Sequence, residues 1–109
     1  MKTITNILPN PLPQIGMGVT IGIGSDCYPA TIIHVSKNFR KVTIQHDKYT
    51  PTDGYEYYKN QVYEYKRDTL GAIEVWTYRK RGIWAQLNSA KAIGYLSFNG
   101  RRAYQDPSF

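Results

Sequence analysis

The chain has 109 residues, the length of one small domain with one hydrophobic core, which excludes an enzyme with a cleft between two lobes. Fourteen Lys and Arg residues against eight Asp and Glu residues give a formal net charge of +6. This charge favours polyanionic partners over cationic ones. The one cysteine, Cys27, cannot form an internal disulfide, so the cysteine content does not point to secretion.

Signals for export or membrane insertion are not visible in the sequence. Residues 2–8 are too few and too polar for the apolar region of a signal peptide. No stretch approaches the run of about 18 apolar residues that a membrane helix needs. We therefore expect a cytoplasmic protein, in whatever cell makes it, with no membrane partner.

The N-terminal segment is rich in proline. Pro9, Pro11 and Pro13 stand at alternate positions, and each lacks a backbone donor and has a fixed φ. These prolines exclude a helix or a central strand. The sequence therefore predicts an extended arm over residues 1–15 and a single β domain over residues 16–109.

Alternating apolar and polar residues begin at Gly18 and predict short strands separated by turns. In the first half, the predicted strands are 18–23, 30–35 and 42–45, and the predicted turns are 24–26, 36–40 and 51–54. Short loops between consecutive strands are typical of an antiparallel meander.

The second half repeats this pattern. Its predicted strands are 62–66, 73–78, 83–87, 95–98 and 101–104, and the turns between them include 68–71 and 79–82. Asn99-Gly100 is the strongest hairpin signal in the chain, and residues 88–93 are the only candidate for a helical turn. The predicted fold class is all-β, either a small antiparallel meander or a barrel.

Catalytic and metal-binding patterns are incomplete. His34, His46 and Asp47 are the candidates for an acid–base site, but spacing alone does not make them converge on one bond. One cysteine and two histidines without short ligand spacing do not form a zinc site. We therefore predict no enzymatic activity, no metal and no cofactor.

Arginines cluster at two predicted turns of the second half, with aromatic residues close by in the sequence. The candidate ligand-binding residues are Arg79, Arg81, Trp84, Arg101, Arg102 and Tyr104. Arginine pairs offer bidentate donors to phosphate, and nucleobases stack on aromatic rings. The alternative is that these arginines are solvated or paired, for example Arg102 with Asp106, and that the aromatic rings belong to the core.

Tyrosines form a second group, Tyr55-Glu56-Tyr57-Tyr58 and Tyr63-Glu64-Tyr65. Such stripes suit a protein interface or a homo-oligomer, because tyrosine buries a large area and forms a hydrogen bond at its tip. They equally suit a cross-strand ladder that stabilises the sheet. The pattern leaves both open.

Several stretches together resemble a family of small uncharacterised proteins of tailed bacteriophages. They are Gly16-Met17-Gly18-Val19-Thr20, Ser25-Asp26, Pro29-Ala30-Thr31-Ile32-Ile33, Val42-Thr43-Ile44, Asp47-Lys48 and residues 101–109. The first half, with Tyr28-Pro29-Ala30-Thr31-Ile32-Ile33 before a hairpin, also resembles SH3-like barrels of the Tudor and KOW type. A methyl-lysine aromatic cage is not recognisable, so this second resemblance implies only the fold.

The phage resemblance implies a small binding protein that acts without catalysis inside the host cell. The expected ligand is anionic, a nucleotide signal or a nucleic acid, and sequestering it could counter a host defence. The alternative is a protein–protein inhibitor or a phage assembly factor that uses the tyrosine-rich sheet face.

Overall fold

The computed structural model describes residues 8–51, 63–79, 82–87 and 94–104. All regular secondary structure within these ranges is β-strand. The strands are β1 (Gly18–Ile23), β2 (Asp26–Val35), β3 (Lys41–His46), β4 (Lys48–Pro51), β5 (Tyr63–Lys66), β6 (Ile73–Arg79), β7 (Ile83–Gln86) and β8 (Tyr95–Ser97). The prediction of an all-β fold is confirmed. The predicted helical turn at 88–93 and most of the predicted turn at 51–54 lie outside the described residues.

Six strands form one antiparallel sheet in the order β7-β6-β3-β2-β1-β8, and β4 pairs with β5 in a separate two-stranded sheet. Strands β1, β2 and β3 are a meander, as predicted. The two edges of the large sheet, β7 and β8, approach each other, so that the sheet nearly closes into a barrel. At this seam the rings of Trp84 and Phe98 lie 5.4 Å apart.

The core lies on the inner face of the large sheet. Its buried members come from six strands, and those of β1, β2 and β3 occupy alternate positions: Val19, Ile21, Ala30, Ile32, Val42, Ile44, Trp76, Trp84 and Leu96. Burying one such large apolar side chain contributes about 1.5–3 kcal/mol to stability. The alternation in the sequence therefore predicted which face of β1 and β3 turns inward.

Strand β2 begins at Asp26, four residues before the predicted start at Ala30. Its first half pairs with β1 and its second half pairs with β3. Pro29 lies in the first half, where β3 is not its neighbour, so its missing N–H leaves no gap in that ladder. On that side Asp47 N donates to Pro29 O at 3.0 Å.

The predicted hairpin at Asn99-Gly100 is wrong. Residues 101–104 do not return along β8. Instead, Tyr104 pairs with Cys27, with Cys27 N donating to Tyr104 O at 2.8 Å and Tyr104 N donating to Cys27 O at 3.0 Å. Thr20 Oγ1 also donates to Gly100 O at 2.6 Å. These long-range bonds override the local turn preference of the Asn-Gly pair and carry the chain across to the beginning of β2.

The described part of the proline-rich segment, residues 8–15, contains no regular secondary structure. Pro13 is fully buried, and after it Gly16 N donates to Ile32 O at 2.8 Å. The segment is therefore attached to the domain at this end. Among the described residues, no helix has the length and apolar character to cross a membrane.

Candidate anion-binding site

The predicted arginines lie in different environments. Arg79, at the end of β6, donates from Nε to Thr77 Oγ1 at 3.1 Å and from Nη2 to Gln86 O at 2.9 Å. The neighbouring Tyr78 N donates to Arg40 O, so Arg79 lies near the beginning of β3. Arg81 lies outside the described residues.

Arg101 lies beside the other end of β3 and binds a buried carboxylate. Its Nε donates to Asp47 Oδ2 at 2.7 Å, and its Nη2 donates to Thr31 Oγ1 at 2.8 Å. Thr31 Oγ1 in turn donates to Asp47 Oδ1 at 2.8 Å. The side chain of Asp47 has no exposed surface. The sequence predicts Arg101 as a ligand-binding residue, with solvation or pairing as the alternative, and in the structure it pairs with a buried carboxylate.

A second arginine extends this network. Arg67 Nη1 lies 3.5 Å from Asp47 Oδ1, and Arg67 Nη2 donates to Gln45 Oε1 at 3.1 Å. Gln45 Nε2 then donates to the backbone oxygens of Thr69 and Gly71. The network therefore ties the loop after β5 and the segment after β8 to β2 and β3.

The other predicted ligand-binding residues that the structure describes, Trp84, Arg102 and Tyr104, make contacts with aromatic rings or cations of the same chain. Trp84 is buried and its ring packs between Tyr78, at 5.2 Å, and Phe98. Arg102 is exposed and its guanidinium lies 5.7 Å from the centre of the Tyr104 ring. The structure thus brings Arg102 and Tyr104 together, whereas Arg79 and Arg101 lie at opposite ends of β3 with separate partners.

A basic groove, which we call the hairpin groove, lies beside the β2–β3 hairpin. It consists of two adjoining cavities of about 550 and 260 Å³. Together they are lined by His34, Ser36, Lys37, Asn38, Arg40, Lys41, Thr43, Val75, Thr77 and Leu87. Among these described lining residues there are three Lys or Arg side chains and no carboxylate.

The hairpin that carries these cations is held by its own polar side chains. Ser36 Oγ donates to Asn38 Oδ1 at 2.8 Å, and the backbone N–H groups of Lys41 and Arg40 donate to Ser36 Oγ and Asn38 Oδ1. Arg40 Nη2 donates to Tyr78 O, and its guanidinium lies 5.6 Å from the centre of the Tyr78 ring. The loop geometry is therefore set before any ligand arrives.

Lys37 and Lys41 are both exposed, and neither forms an ion pair with a described residue. Sequence reasoning missed them because it weighed the second half of the chain, where the cations are more numerous. A signal was nevertheless present, because residues 27–46 contain two lysines and one arginine but no Asp or Glu.

The candidate acid–base residues do not share one site. His34 lies opposite Thr43 and faces the hairpin groove. His46 Nε2 lies 3.0 Å from Glu74 Oε2, while Asp47 belongs to the arginine network. Among the described residues, no group of three His, Cys, Asp or Glu side chains could hold a metal ion.

The pair of His46 and Glu74 is polar and half-buried. Its hydrogen bond with Glu74 raises the pKa of His46 above the usual value of 6.5, although burial works against this shift. The same bond lowers the pKa of Glu74 below 4.5. Trp76 Nε1 also donates to Glu74 Oε1, so the pair joins β3 to β6 as a structural contact.

The tyrosines of the β4–β5 hairpin make contacts within the molecule. The rings of Tyr49 and Tyr63 lie edge to face at 5.3 Å, as in a cross-strand ladder. Ala103 N donates to the hydroxyl of Tyr65 at 3.1 Å. Tyr55, Tyr57 and Tyr58 lie outside the described residues.

Comparisons with known proteins found no matching protein-family model, no similar curated protein and no similar solved structure. The resemblances to phage proteins and to SH3-like barrels therefore stay predictions.

Proposed function

We propose that this protein is a non-enzymatic binding protein for a phosphate-bearing anion, a nucleotide or a nucleic acid, which it holds in the hairpin groove. The observation that carries the proposal is the charge of the groove. Lys37, Arg40 and Lys41 line it, and none of its described lining residues is acidic.

Electrostatics supports an anion as the ligand. Lys37 and Lys41 form no ion pair with a described residue, so their charges create a positive potential along the groove. The ammonium groups of Lys37 and Lys41 act as point charges towards phosphate, and the guanidinium of Arg40 is fixed against Tyr78. The net charge of +6 strengthens the same field at longer range.

The proposed site replaces part of the site expected from the sequence. Arg101 donates to Asp47, so its guanidinium is less available to a ligand. Arg79 remains close, because it donates to Thr77, a residue of the groove wall. The ring of Trp84 packs in the core and offers no open face for stacking.

The phage resemblance adds a biological role to the proposal. A small protein that binds without catalysis acts by withholding its ligand from the host, and sequestration of a nucleotide signal would counter a host defence. We expect this role to require stoichiometric amounts of protein in the host cytoplasm.

The direct test compares two double variants against fluorescent ATP and fluorescent dT20 by anisotropy at low salt. Lys37→Gln with Lys41→Gln removes two charges from the groove. Lys48→Gln with Lys66→Gln removes the same charge from the β4–β5 hairpin and serves as the matched control with ATP. We expect the groove variant to bind ATP at least tenfold more weakly, equivalent to 1.4 kcal/mol, and the control to change little.

Two results would overturn the proposal. The first is wild-type protein that binds neither ATP nor dT20. The second is a groove variant that binds both probes as tightly as wild type does. If the protein binds neither probe but binds a protein partner with an affinity that does not change with salt, the alternative of a protein–protein inhibitor would be favoured.

A further inference from the structure

A second basic surface lies on the β4–β5 hairpin. Lys48 and Lys66 stand directly opposite each other in the strand register, and both side chains are exposed. Like charges in this position repel and destabilise a strand pair. Glu64 lies opposite Thr50, on the same face of β5 as Lys66, but neither lysine forms an ion pair with a described residue.

The surroundings of this lysine pair add positive charge. Arg67 follows Lys66 directly, and its side chain is 41% exposed. Arg67 and Arg101 share one carboxylate, that of Asp47, so this network keeps an excess positive charge. The repulsion between Lys48 and Lys66 is therefore not relieved by the neighbouring network, and a bound anion would relieve it.

The two basic surfaces lie at opposite ends of β3. Lys41 is the first residue of β3 and lines the hairpin groove. Lys48 comes two residues after the last residue of β3. With a rise of about 3.3 Å per residue, the seven steps from Lys41 to Lys48 can span up to about 23 Å. A stacked nucleic-acid strand carries one phosphate about every 3.4 Å, so roughly six nucleotides reach from one surface to the other. The phosphates of one nucleotide occupy only one of them.

We propose that the ligand is a nucleic-acid strand whose phosphates contact both the hairpin groove and the Lys48–Lys66 pair. This inference rests on the proposed function and specifies its ligand as a polymer. Because no Phe, Tyr or Trp ring lines the groove among the described residues, the contacts are to the backbone and not to stacked bases. Binding is then independent of base sequence.

A length series tests the inference. Anisotropy is measured with labelled oligo-dT of 2, 4, 6, 8, 12 and 20 nucleotides, with rU20 and dA20 as further probes, between 50 and 200 mM salt. We expect affinity to rise steeply up to about six to eight nucleotides and then only slowly. Lys48→Gln with Lys66→Gln should weaken dT20 at least tenfold while it leaves ATP binding nearly unchanged.

The salt dependence provides a second readout. On a single strand, each neutralised phosphate contributes about −0.7 to the slope of log K against log salt concentration. Either double variant should therefore make the slope for dT20 shallower by about 1.4. Melting curves of both variants are expected to match wild type, which separates lost contacts from unfolding.

The inference and the proposed function fail in different ways. If dT20 binds no more tightly than dT2, or if the Lys48 and Lys66 variant keeps full affinity for dT20, the inference of a polymeric ligand is wrong. The proposed function of the hairpin groove is not affected by either result. If wild type binds neither ATP nor any strand, both are wrong. Tight binding of dT20 or rU20 with the expected loss in both variants supports the inference. A strong preference for dA20 over dT20 contradicts recognition through the backbone.

Discussion

The two ends of β3 use positive charge in opposite ways. Beyond its last residue, Arg101 and Arg67 surround the buried carboxylate of Asp47. At its first residue, Lys41 and its neighbour Lys37 face a groove whose described walls hold no carboxylate. The comparison shows that a count of cations does not locate a binding site. What matters is whether the fold brings a carboxylate to each cation, and at the first end no described carboxylate pairs with Lys37 or Lys41.

The largest effect is expected at the Asp47 end. Arg101→Ala should lower the free energy of unfolding by about 3 kcal/mol, because it leaves the buried carboxylate of Asp47 with the hydrogen bond from Thr31 and, among the described cations, only the longer contact to Arg67. Chemical denaturation with urea measures the change. Arg102→Ala is the control, since this exposed neighbour should change stability by no more than about 0.5 kcal/mol. Equal effects of the two substitutions would refute the structural role of Arg101.

A second effect at the same end comes from close backbone packing. A Cβ atom on Gly71 would collide with the backbone oxygen of His46, which precedes Asp47. Gly71→Ala should therefore cost about 1–3 kcal/mol, measured by thermal or urea unfolding. Gly22→Ala is a useful contrast, because its Cβ would meet the ring of Tyr95, a half-exposed side chain that can move aside. A Gly71 variant as stable as the Gly22 variant would show that this end repacks easily.

A pH titration should reveal a smaller contribution from His46 and Glu74, since a partly exposed pair contributes less than a buried one. The raised pKa of His46 means that its contribution is complete below pH 6.5 and is lost as pH rises through the folded-state pKa. The lowered pKa of Glu74 means that its contribution is complete above pH 4.5 and is lost as pH falls through its folded-state pKa. Stability from this pair is thus greatest between about pH 4.5 and 6.5.

His46→Gln tests this assignment, since glutamine can still form a hydrogen bond but does not titrate. The variant should lose the decline in unfolding free energy above pH 6.5. An unchanged pH profile would show that another group causes the decline.

The smallest effect on stability is expected in the hairpin groove. The double variant Lys37→Gln and Lys41→Gln should unfold within about 0.5 kcal/mol of wild type, because neither lysine forms an ion pair with a described residue. Differential scanning calorimetry at two salt concentrations measures it. A loss of stability comparable to that of Arg101→Ala would mean that the groove lysines have structural partners, and the contrast between the two ends would disappear.

Local patterns were sufficient for much of the fold. Alternation predicted β1, β3, β6 and β7 to within a residue or two, because one face of each strand is buried. The early start of β2 and the path of residues 101–104 were not predicted, because pairs such as Cys27 with Tyr104 depend on contacts far apart in the sequence. No turn preference contains that information.

The site was predicted less well, for the same reason. Arg101 and Arg102 are adjacent and chemically identical, yet only Arg101 reaches Asp47, 54 positions earlier in the chain. The lysines of the hairpin groove could have been found, because the loop at 36–40 was recognised as a turn and its surroundings contain no acidic residue. That neither lysine forms an ion pair with a described residue depends on the arrangement of the whole sheet, which no local pattern contains.

The contacts that close the sheet also determine when it can close during synthesis. Thr20 on β1 binds Gly100, which lies 80 positions further along the chain. At about 5–20 residues per second, the ribosome delivers that partner roughly 4–16 seconds after β1 itself has been made. Throughout this interval one edge of β1 is unpaired, and such edges pair readily with other chains. Neighbouring ribosomes on one messenger RNA expose the same edge side by side, so the yield of soluble protein should depend on how densely the message is translated.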